Sequence, residues 1–593
     1  MPKAEYLIEI SWEVCNKVGG IYTVIESKIS QIIKEYGSNY LLIGPYLNQN
    51  HSMFMEKAPP NNLDSIFNEL KKIGVICHYG KWQTFGEPAV VLIDFFNYSY
   101  SNNQLKTDLW NDFKIDSLGT NFFDFDQPIL WGNAAGKFIE NLAKALNKKI
   151  VVQFHEWLTA SALLYLKKNN VKVGKIFTTH ATVLGRTLSM NNIDLYSNIK
   201  SFDSVSEAYK YGVQAKFLAE KAAALNSDIF TTVSDITGLE AQHFLGRKPD
   251  LILPNGINID KYPTSEEAAI KHQIYREKIR EFLAFYFFPY YTFELEHTII
   301  YFISGRYEFH NKGIDLFIEA LSRLNKKLKE ENSNRTIVVF FWIPSSVIRI
   351  KPDILENRAY YEDVKNTIEE YFSDIKHKII RDLVSRINIL ITELFSKDVF
   401  FEINNKIERF IKSGSNPSLA THDLSNENND IILNTLKNFN LTNKEEDRVK
   451  VIFYPIYLQG ADRLLELGYK EAMMGCHLGV FPSYYEPWGY TPLETAALGV
   501  ASVTSDLGGF GQFLNSKHSQ HKNPGIFVLN LFNQTKEHRI DEIFSILYYY
   551  SGLSREERVK NKIEAKRLAS LVDWSNLIKY YIKAHDRAID KVF

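Results

Sequence analysis

Cysteine is scarce in this chain of 593 residues: Cys15, Cys77 and Cys476 are the whole supply. Three thiols give no disulfide framework and no paired Cys-x-x-Cys zinc signature, which points to a reducing compartment. Excess charge of one sign is also missing. Lys and Arg total 69 against 70 for Asp and Glu, so no bulk positive field recruits nucleic acid or an anionic membrane, although a local basic patch remains open. Long apolar runs are absent. The greasiest, Leu283 to Phe293, is about half the length a membrane span needs and reads as buried core. The opening Met-Pro-Lys-Ala-Glu-Tyr lacks the apolar centre of a secretory signal. The expectation is a cytoplasmic protein with no nucleic-acid or membrane partner. Aromatic residues, by contrast, are plentiful at 14%; their faces can stack on sugars, but most belong in a core.

A chain this long exceeds one hydrophobic core and divides into at least two domains. In the first half, Tyr6 to Ile10, Tyr40 to Ile43, Ala89 to Ile93, Ile150 to Phe154, Lys175 to Thr179 and Ile229 to Val233 are short apolar runs. Helical patterns such as Gly132 to Leu146 and Leu158 to Lys168 lie between them. Strands alternating with helices predict an α/β fold with a parallel sheet covered on both faces. The pattern restarts near His297, with strands at Thr298 to Ser304, Thr336 to Trp342, Val449 to Tyr454, Leu478 to Phe481 and Ala501 to Thr504, and a helix at Ile314 to Lys327. Two Rossmann-like domains facing a cleft follow, 1–295 and 296–570, with a terminal helix in 571–593.

An insertion of about 350–445 interrupts the second domain. Tyr361, Val364, Ile368, Tyr371, Ile375, Ile379 and Leu383 recur at three- and four-residue spacing, which predicts one long amphipathic helix packed on core or on a partner. The polar stretch Ser413 to Asn429 predicts a mobile loop.

The segment Ser483-Tyr-Tyr-Glu-Pro-Trp-Gly-Tyr-Thr-Pro-Leu-Glu494 concentrates the chemistry. Thr491 as N-cap, Pro492 at the first helical position and Glu494 three residues after the cap predict a helix mouth just past a buried strand. Free N–H groups there suit a phosphate, with Glu486 just outside. The plain alternative is a capping box beside a solvated glutamate. In Ser304-Gly-Arg-Tyr-Glu-Phe-His-Asn-Lys-Gly313, Arg306 and Lys312 lie six apart across a turn and both reach the cleft mouth. Cations there would stabilise a departing diphosphate, each bond being worth roughly 1.5 to 3 kcal/mol; two cations on a loop are otherwise ordinarily solvated. Lys17-Val-Gly19-Gly20-Ile-Tyr-Thr23 opens the first helix, and its glycines permit a tight turn and close approach to a ligand. His180, just past a strand, and His155-Glu156-Trp157, ending another, face the same cleft; a lone histidine at a strand end is more often structural. Asp124-Phe-Asp126 and Cys476-His477 carry no metal reading, because chance explains the first and the second lacks partners.

These motifs, with Gly475-Cys-His-Leu-Gly479 ahead of the glutamate segment, closely resemble the eukaryote-type glycogen (starch) synthases over nearly the whole length, and the spacing of the two glutamates resembles retaining glycosyltransferases. The resemblance implies a GT-B-like fold and transfer of glucose from UDP-glucose to the 4-OH of an α-1,4-glucan. It implies that Glu486 positions or stabilises the sugar, Arg306 and Lys312 clamp the diphosphate, and His180 bonds the glucose hydroxyls. Lys17, Gly19, Gly20, Arg186, Trp488, Gly489, Tyr490 and Thr491 would serve the donor, Tyr469 its base and Glu494 its ribose, with His155 and Glu156 touching sugar or acceptor. It further implies that the terminal helix crosses back to the N-terminal domain, that the insertion builds a homotetramer, and that a glycogenin-type primer is a partner. No metal and no pyridoxal phosphate are expected. Alternatives are an ADP-glucose-dependent starch synthase, a sucrose-type synthase, a glucan phosphorylase or a non-catalytic glucan-binding scaffold.

One departure stands out. Regulated members of that family carry a dense arginine helix that senses glucose-6-phosphate; here Arg555-Glu-Glu-Arg558-Val-Lys-Asn-Lys562-Ile-Glu-Ala-Lys-Arg567 has mixed charge. Lysines are poorer at bidentate phosphate recognition and the glutamates oppose an anion. With no Ser-rich tail after Phe593 and no long extension before Tyr6, the expectation is weak or absent control by that sugar phosphate or by phosphorylation.

Overall fold

The computed structural model describes residues 2–47, 52–412, 414–517 and 523–593. The first half supplies β1 (Tyr6–Ile10), β2 (Tyr40–Pro45), β3 (Phe54–Glu56), β4 (Ile76–Trp82), β5 (Ala89–Asp94), β6 (Ile150–His155), β7 (Gly174–Thr179), β8 (Ile229–Thr232) and β9 (Leu251–Ile252). They form one sheet in the order β3-β4-β5-β2-β1-β6-β7-β8-β9. The second half supplies β10 (Ile299–Ser304), β11 (Ile337–Trp342), β12 (Val347–Ile350), β13 (His422–Leu424), β14 (Val449–Phe453), β15 (Leu478–Val480), β16 (Ala501–Ser505) and β17 (Ile526–Leu529). Six of these make a second sheet, β14-β11-β10-β15-β16-β17. Its pairs are all parallel. Among the described strands of the first sheet, β4 alone is reversed, running antiparallel to both β3 and β5.

The central strands read as continuous Val, Ile, Leu and Phe because helices cover both of their faces. Strand order then dictates where a ligand can bind. In the first sheet β1 lies between β2 and β6, and in the second β10 lies between β11 and β15. At each of these places the connections leave in opposite directions, so a crevice opens at the strands' carboxyl ends. The loops that follow β1, β6, β10 and β15 contain the motifs picked out in the sequence.

Two expectations about the insertion need correction. The stripe from Tyr361 to Leu383 is not one helix: Pro352–Glu370 and Phe372–Val384 are separated at Tyr371, whose backbone (φ -94, ψ 6) leaves the helical track. A hydrophobic period survives such a kink, so it did not betray one. The loop expected from Ser413 to Asn429 is irregular through 414–419 and regular only toward its end; Ser413 lies outside the described residues. Ala420 bridges to Phe453, and β13 pairs antiparallel with β12. The helix Trp574–Val592 lies on the first-half sheet. There Trp574 Nε1 donates to Ser27 Oγ at 2.7 Å, and the His585 ring bridges Tyr36 and Gln153.

Candidate active site

A cavity of about 740 Å³ lies between the two sheets at their switch points. The loop after β10 and the loop after β15 build one wall and hold each other in place. Tyr484 N–H donates to Asn311 O at 2.9 Å, and Lys312 Nζ donates to Glu486 Oε2 at 2.6 Å. Gly313 sits at φ 65 directly against Pro482, so Lys312 is presented from a turn that only glycine makes comfortably. Arg306 also borders the cavity, largely exposed, with Nη2 2.8 Å from Glu308 Oε1.

The helix mouth at this wall differs from the sequence expectation. The helix is Tyr490–Ala497, capped by Gly489 in the left-handed region (φ 110). Thr491 is therefore its second residue and not its cap, and Glu494 cannot complete a capping box. Glycine wins the cap because it alone accepts that backbone without a Cβ penalty. Trp488, Gly489, Tyr490 and Thr491 all border the cavity, and the Trp488 Nε1 donor has no partner among the described residues. Glu494 lies beyond the lining beside Tyr262; burial pushes its carboxyl up, against the pull of Lys470. Tyr469 is also outside the lining, sharing a hydrogen bond with Ser304 Oγ at 3.0 Å.

The opposite wall comes from the first half. Gly19 and Gly20 border the cavity, whereas Lys17 is exposed and outside the lining. Glu13 went unmarked in the sequence; its Oε2 accepts from Gly19 N–H and Tyr22 N–H, both at 2.8 Å. That carboxylate occupies part of the helix mouth that the glycine pair was expected to offer to phosphate. His180 and Arg186 border the cavity from the segment after β7. His155 borders the cavity but is fully buried, and its ring nitrogens are bonded to protein groups, Nδ1 to His180 Nε2 and Nε2 to Glu9 Oε1. Glu156 is nearly as buried and accepts from His180 N–H and Ala181 N–H. Asn255 was also missed. It is 3% exposed on the cavity wall, and its Oδ1 has no partner among the described residues. The signal available was Leu253-Pro-Asn-Gly-Ile257, a turn after β9 that enters the same cleft.

Hydrogen bonds join the halves around the cavity: Ser189 Oγ to Asn311 Oδ1 at 2.9 Å, Ser234 Oγ to Pro487 O at 2.8 Å, and Tyr485 OH to Glu240 Oε2 at 3.3 Å. Glu240 is fully buried, and burial pushes its carboxyl up to about 7 against bonds from Thr182, Tyr196 and Tyr485. A folded-state value above the unfolded one means that the native state holds the proton more tightly. The stability from this group is full below about pH 4.5 and is lost as pH rises through about 7, a change of ~3 kcal/mol. Glu240→Gln should therefore gain stability relative to the parent between pH 5 and 8 in urea titrations. A constant difference across that window would contradict the assignment.

Among the described residues no cluster of three His, Cys, Asp or Glu is placed to hold a metal. Asp124 pairs with Lys216, and Asp126 with Lys106. A second cavity of about 1010 Å³ lies between the helices Ser265–Phe287 and Arg555–Ser570; its lining includes the cationic Arg276, Arg280, Arg558 and Lys562, the histidines His272 and His477, and the carboxylates Glu266, Glu277 (paired with Arg280) and Glu296. The glutamates expected to oppose an anion there are turned to other partners: Glu556 to Lys560, Glu557 to Ser554 and Glu564 to Arg567. The charge argument drawn from the sequence is corrected accordingly, because a linear reading of a helix mixes the residues of opposite faces.

A family model described as glycogen synthase matches residues 9–593. The chain is 36% identical over 607 residues to the glycogen (starch) synthase of Neurospora crassa, spanning 100% of this chain and 84% of that protein. It is 35% identical over 604 residues to the human liver glycogen (starch) synthase, spanning 100% of this chain and 85% of that protein. Among solved structures, the catalytic domain of starch synthase IV from Arabidopsis thaliana, bound to ADP and acarbose, superimposes with a TM-score of 0.53 at 15% identity. That match covers 99% of this chain and 100% of the other, and it shows a shared two-sheet fold.

Proposed function

Because the chain belongs to the glycogen synthase family, we propose that it transfers glucose from UDP-glucose to the 4-OH end of an α-1,4-glucan with retention at C1. One observation carries this reading: Arg306, Lys312 and Glu486 from the second half meet His180 and the Gly19–Gly20 turn from the first in a single interlobe cavity. Negative charge grows on the diphosphate as its bond to C1 breaks. Arg306, Lys312 and the N–H groups at the Tyr490–Ala497 helix mouth are placed to stabilise it. Glu494 and Tyr469 stand behind that wall as donor-side groups, Glu494 for the ribose and Tyr469 for the base, and Lys17 serves the donor from the exposed loop of the opposite wall.

Among the described residues four carboxylates border the cavity, and each is engaged: Glu13 and Glu156 with backbone N–H groups, Glu308 with Arg306, and Glu486 with Lys312. A covalent route needs a free carboxylate on the face of the ring away from the leaving group. This arrangement favours attack on the same face, with a leaving phosphate oxygen taking the acceptor's proton and Glu486 steadying the sugar. Contacts joining the two halves limit water, which would otherwise hydrolyse the donor.

The reading extends to a cytoplasmic enzyme that needs neither metal nor pyridoxal phosphate and takes a glycogenin-type primer. Among the described residues no helix is long and apolar enough to cross a membrane. Exposed apolar side chains on the insertion helices, such as Phe372, Leu383 and Phe401, support assembly into a homotetramer. Cationic side chains around the second cavity favour a response to a sugar phosphate over the weak or absent response expected from the sequence. One assay tests these points: purified protein, glycogen, EDTA, and radiolabelled UDP-glucose or ADP-glucose. Label should enter glycogen from UDP-glucose, at a rate that rises with added glucose-6-phosphate. Incorporation from ADP-glucose alone would replace the donor assignment, and indifference to glucose-6-phosphate would restore the sequence expectation.

A further inference from the structure

Behind His180 a chain of buried polar groups runs into the first-half core. His155 Nδ1 lies 2.9 Å from His180 Nε2, and His155 Nε2 lies 2.6 Å from Glu9 Oε1. Glu9, on β1, also receives Lys28 Nζ, and Tyr40 OH donates to its Oε2 at 2.7 Å. Glu9, Lys28 and His155 are all at most 1% exposed; His155 and His180 both border the cavity, and His180 is the more exposed of the two rings at 7%.

Hydrogen-bond chemistry fixes the protons along this chain. Burial raises the Glu9 carboxyl, but Lys28 and His155 outweigh it and hold the group ionised. Burial lowers both histidines, so both are neutral. An ionised carboxylate only accepts, so His155 carries its hydrogen on Nε2 and leaves Nδ1 bare. The only bond then available between the rings has His180 Nε2–H donating to His155 Nδ1. His180 is left with Nδ1 as an acceptor.

We propose that Glu9 and His155 are positioning residues that lock His180 as the Nε2–H tautomer, so that its Nδ1 accepts a hydrogen bond from a hydroxyl of the transferred sugar. This rests on the reading of His180 as a sugar contact. A separate observation on the neighbouring residue supports it. Glu156 holds the backbone of His180 and Ala181 with its Oε1 at 2.9 and 3.0 Å, and does so from a backbone at φ 68, ψ 167. Non-glycine residues rarely occupy that region, and they persist there only where the surroundings over-determine them. Side chain and main chain of His180 are thus both fixed from the end of β6.

The test has two parts. In ¹⁵N spectra of histidine-labelled protein, with His180→Ala used for assignment, His180 should show a protonated Nε2 and a bare Nδ1. A protonated Nδ1 in the unmutated protein would overturn the proposal, whatever the variants do. In kinetics, His155→Phe should lower kcat/KM for the donor about 10-fold, one hydrogen bond's worth. Tyr40→Phe, which takes a bond from the other oxygen of Glu9, should lower stability but leave kcat/KM within about 2-fold. Equal losses in the two variants would mean general loosening of the core and would sink the positioning role. If His180→Ala itself kept full activity, the sugar contact would fall while the tautomer result stood.

Discussion

Lys312→Ala should lower kcat by roughly 100- to 1000-fold, the range found when one preorganised charge donor is removed from an active site. Two losses combine. The ammonium no longer meets the departing diphosphate, and Glu486 Oε2 loses the Nζ that lies 2.6 Å away. Arg306→Ala should fall in the same range, because its guanidinium, now paired with Glu308, has the fork geometry that suits two phosphate oxygens. The signature to look for in initial rates is a loss in kcat exceeding any rise in KM, since the charge they answer appears only as the bond breaks. Near-normal turnover in either variant would remove that residue from the clamp.

Gly313→Ala is expected to cost about 3 kcal/mol of stability and to take most of the activity with it. Gly313 sits at φ 65, and an added Cβ would come 2.1 Å from Pro482 O and 2.8 Å from Pro482 C. The obstacle is backbone, so no rotamer change relieves it; the β15 loop must move. That loop carries Glu486, and the residue before Gly313 is Lys312, so both members of the ion pair shift together. A urea midpoint and a kcat measured on the same preparation check this. Parent-like values for both would show that the turn has slack.

The sequence disclosed the long central strands of both halves to within a residue or two because buried parallel strands are written as uninterrupted Val, Ile and Phe. It missed β3, β4, β9, β12, β13 and β17: β4 has a half-polar Cys-His-Tyr-Gly-Lys run at the sheet's antiparallel end, and the others are only two to four residues long. Cleft residues on loops that follow central strands were legible for the same reason, since topology places such loops at the switch points. Glu13 and Glu308 were not, because a glutamate whose partner is a backbone N–H or an arginine two residues away has no spacing that marks it. The helix start at Gly489 was misplaced to Thr491: side-chain capping rules favour threonine, but the tight turn after Trp488 demands positive φ. The bonds of His155 were illegible for a different reason. A strand's last residue can meet the core or the cleft, and its partner Glu9 lies on the neighbouring strand, far off in sequence.

A structure of the protein with UDP bound is the most direct measurement. The diphosphate should lie between Arg306, Lys312 and the Tyr490 helix mouth, with Lys312 Nζ drawn toward phosphate. UDP seated elsewhere, for example among Arg276, Arg280 and Arg558, with the interlobe cavity left open, would contradict the account.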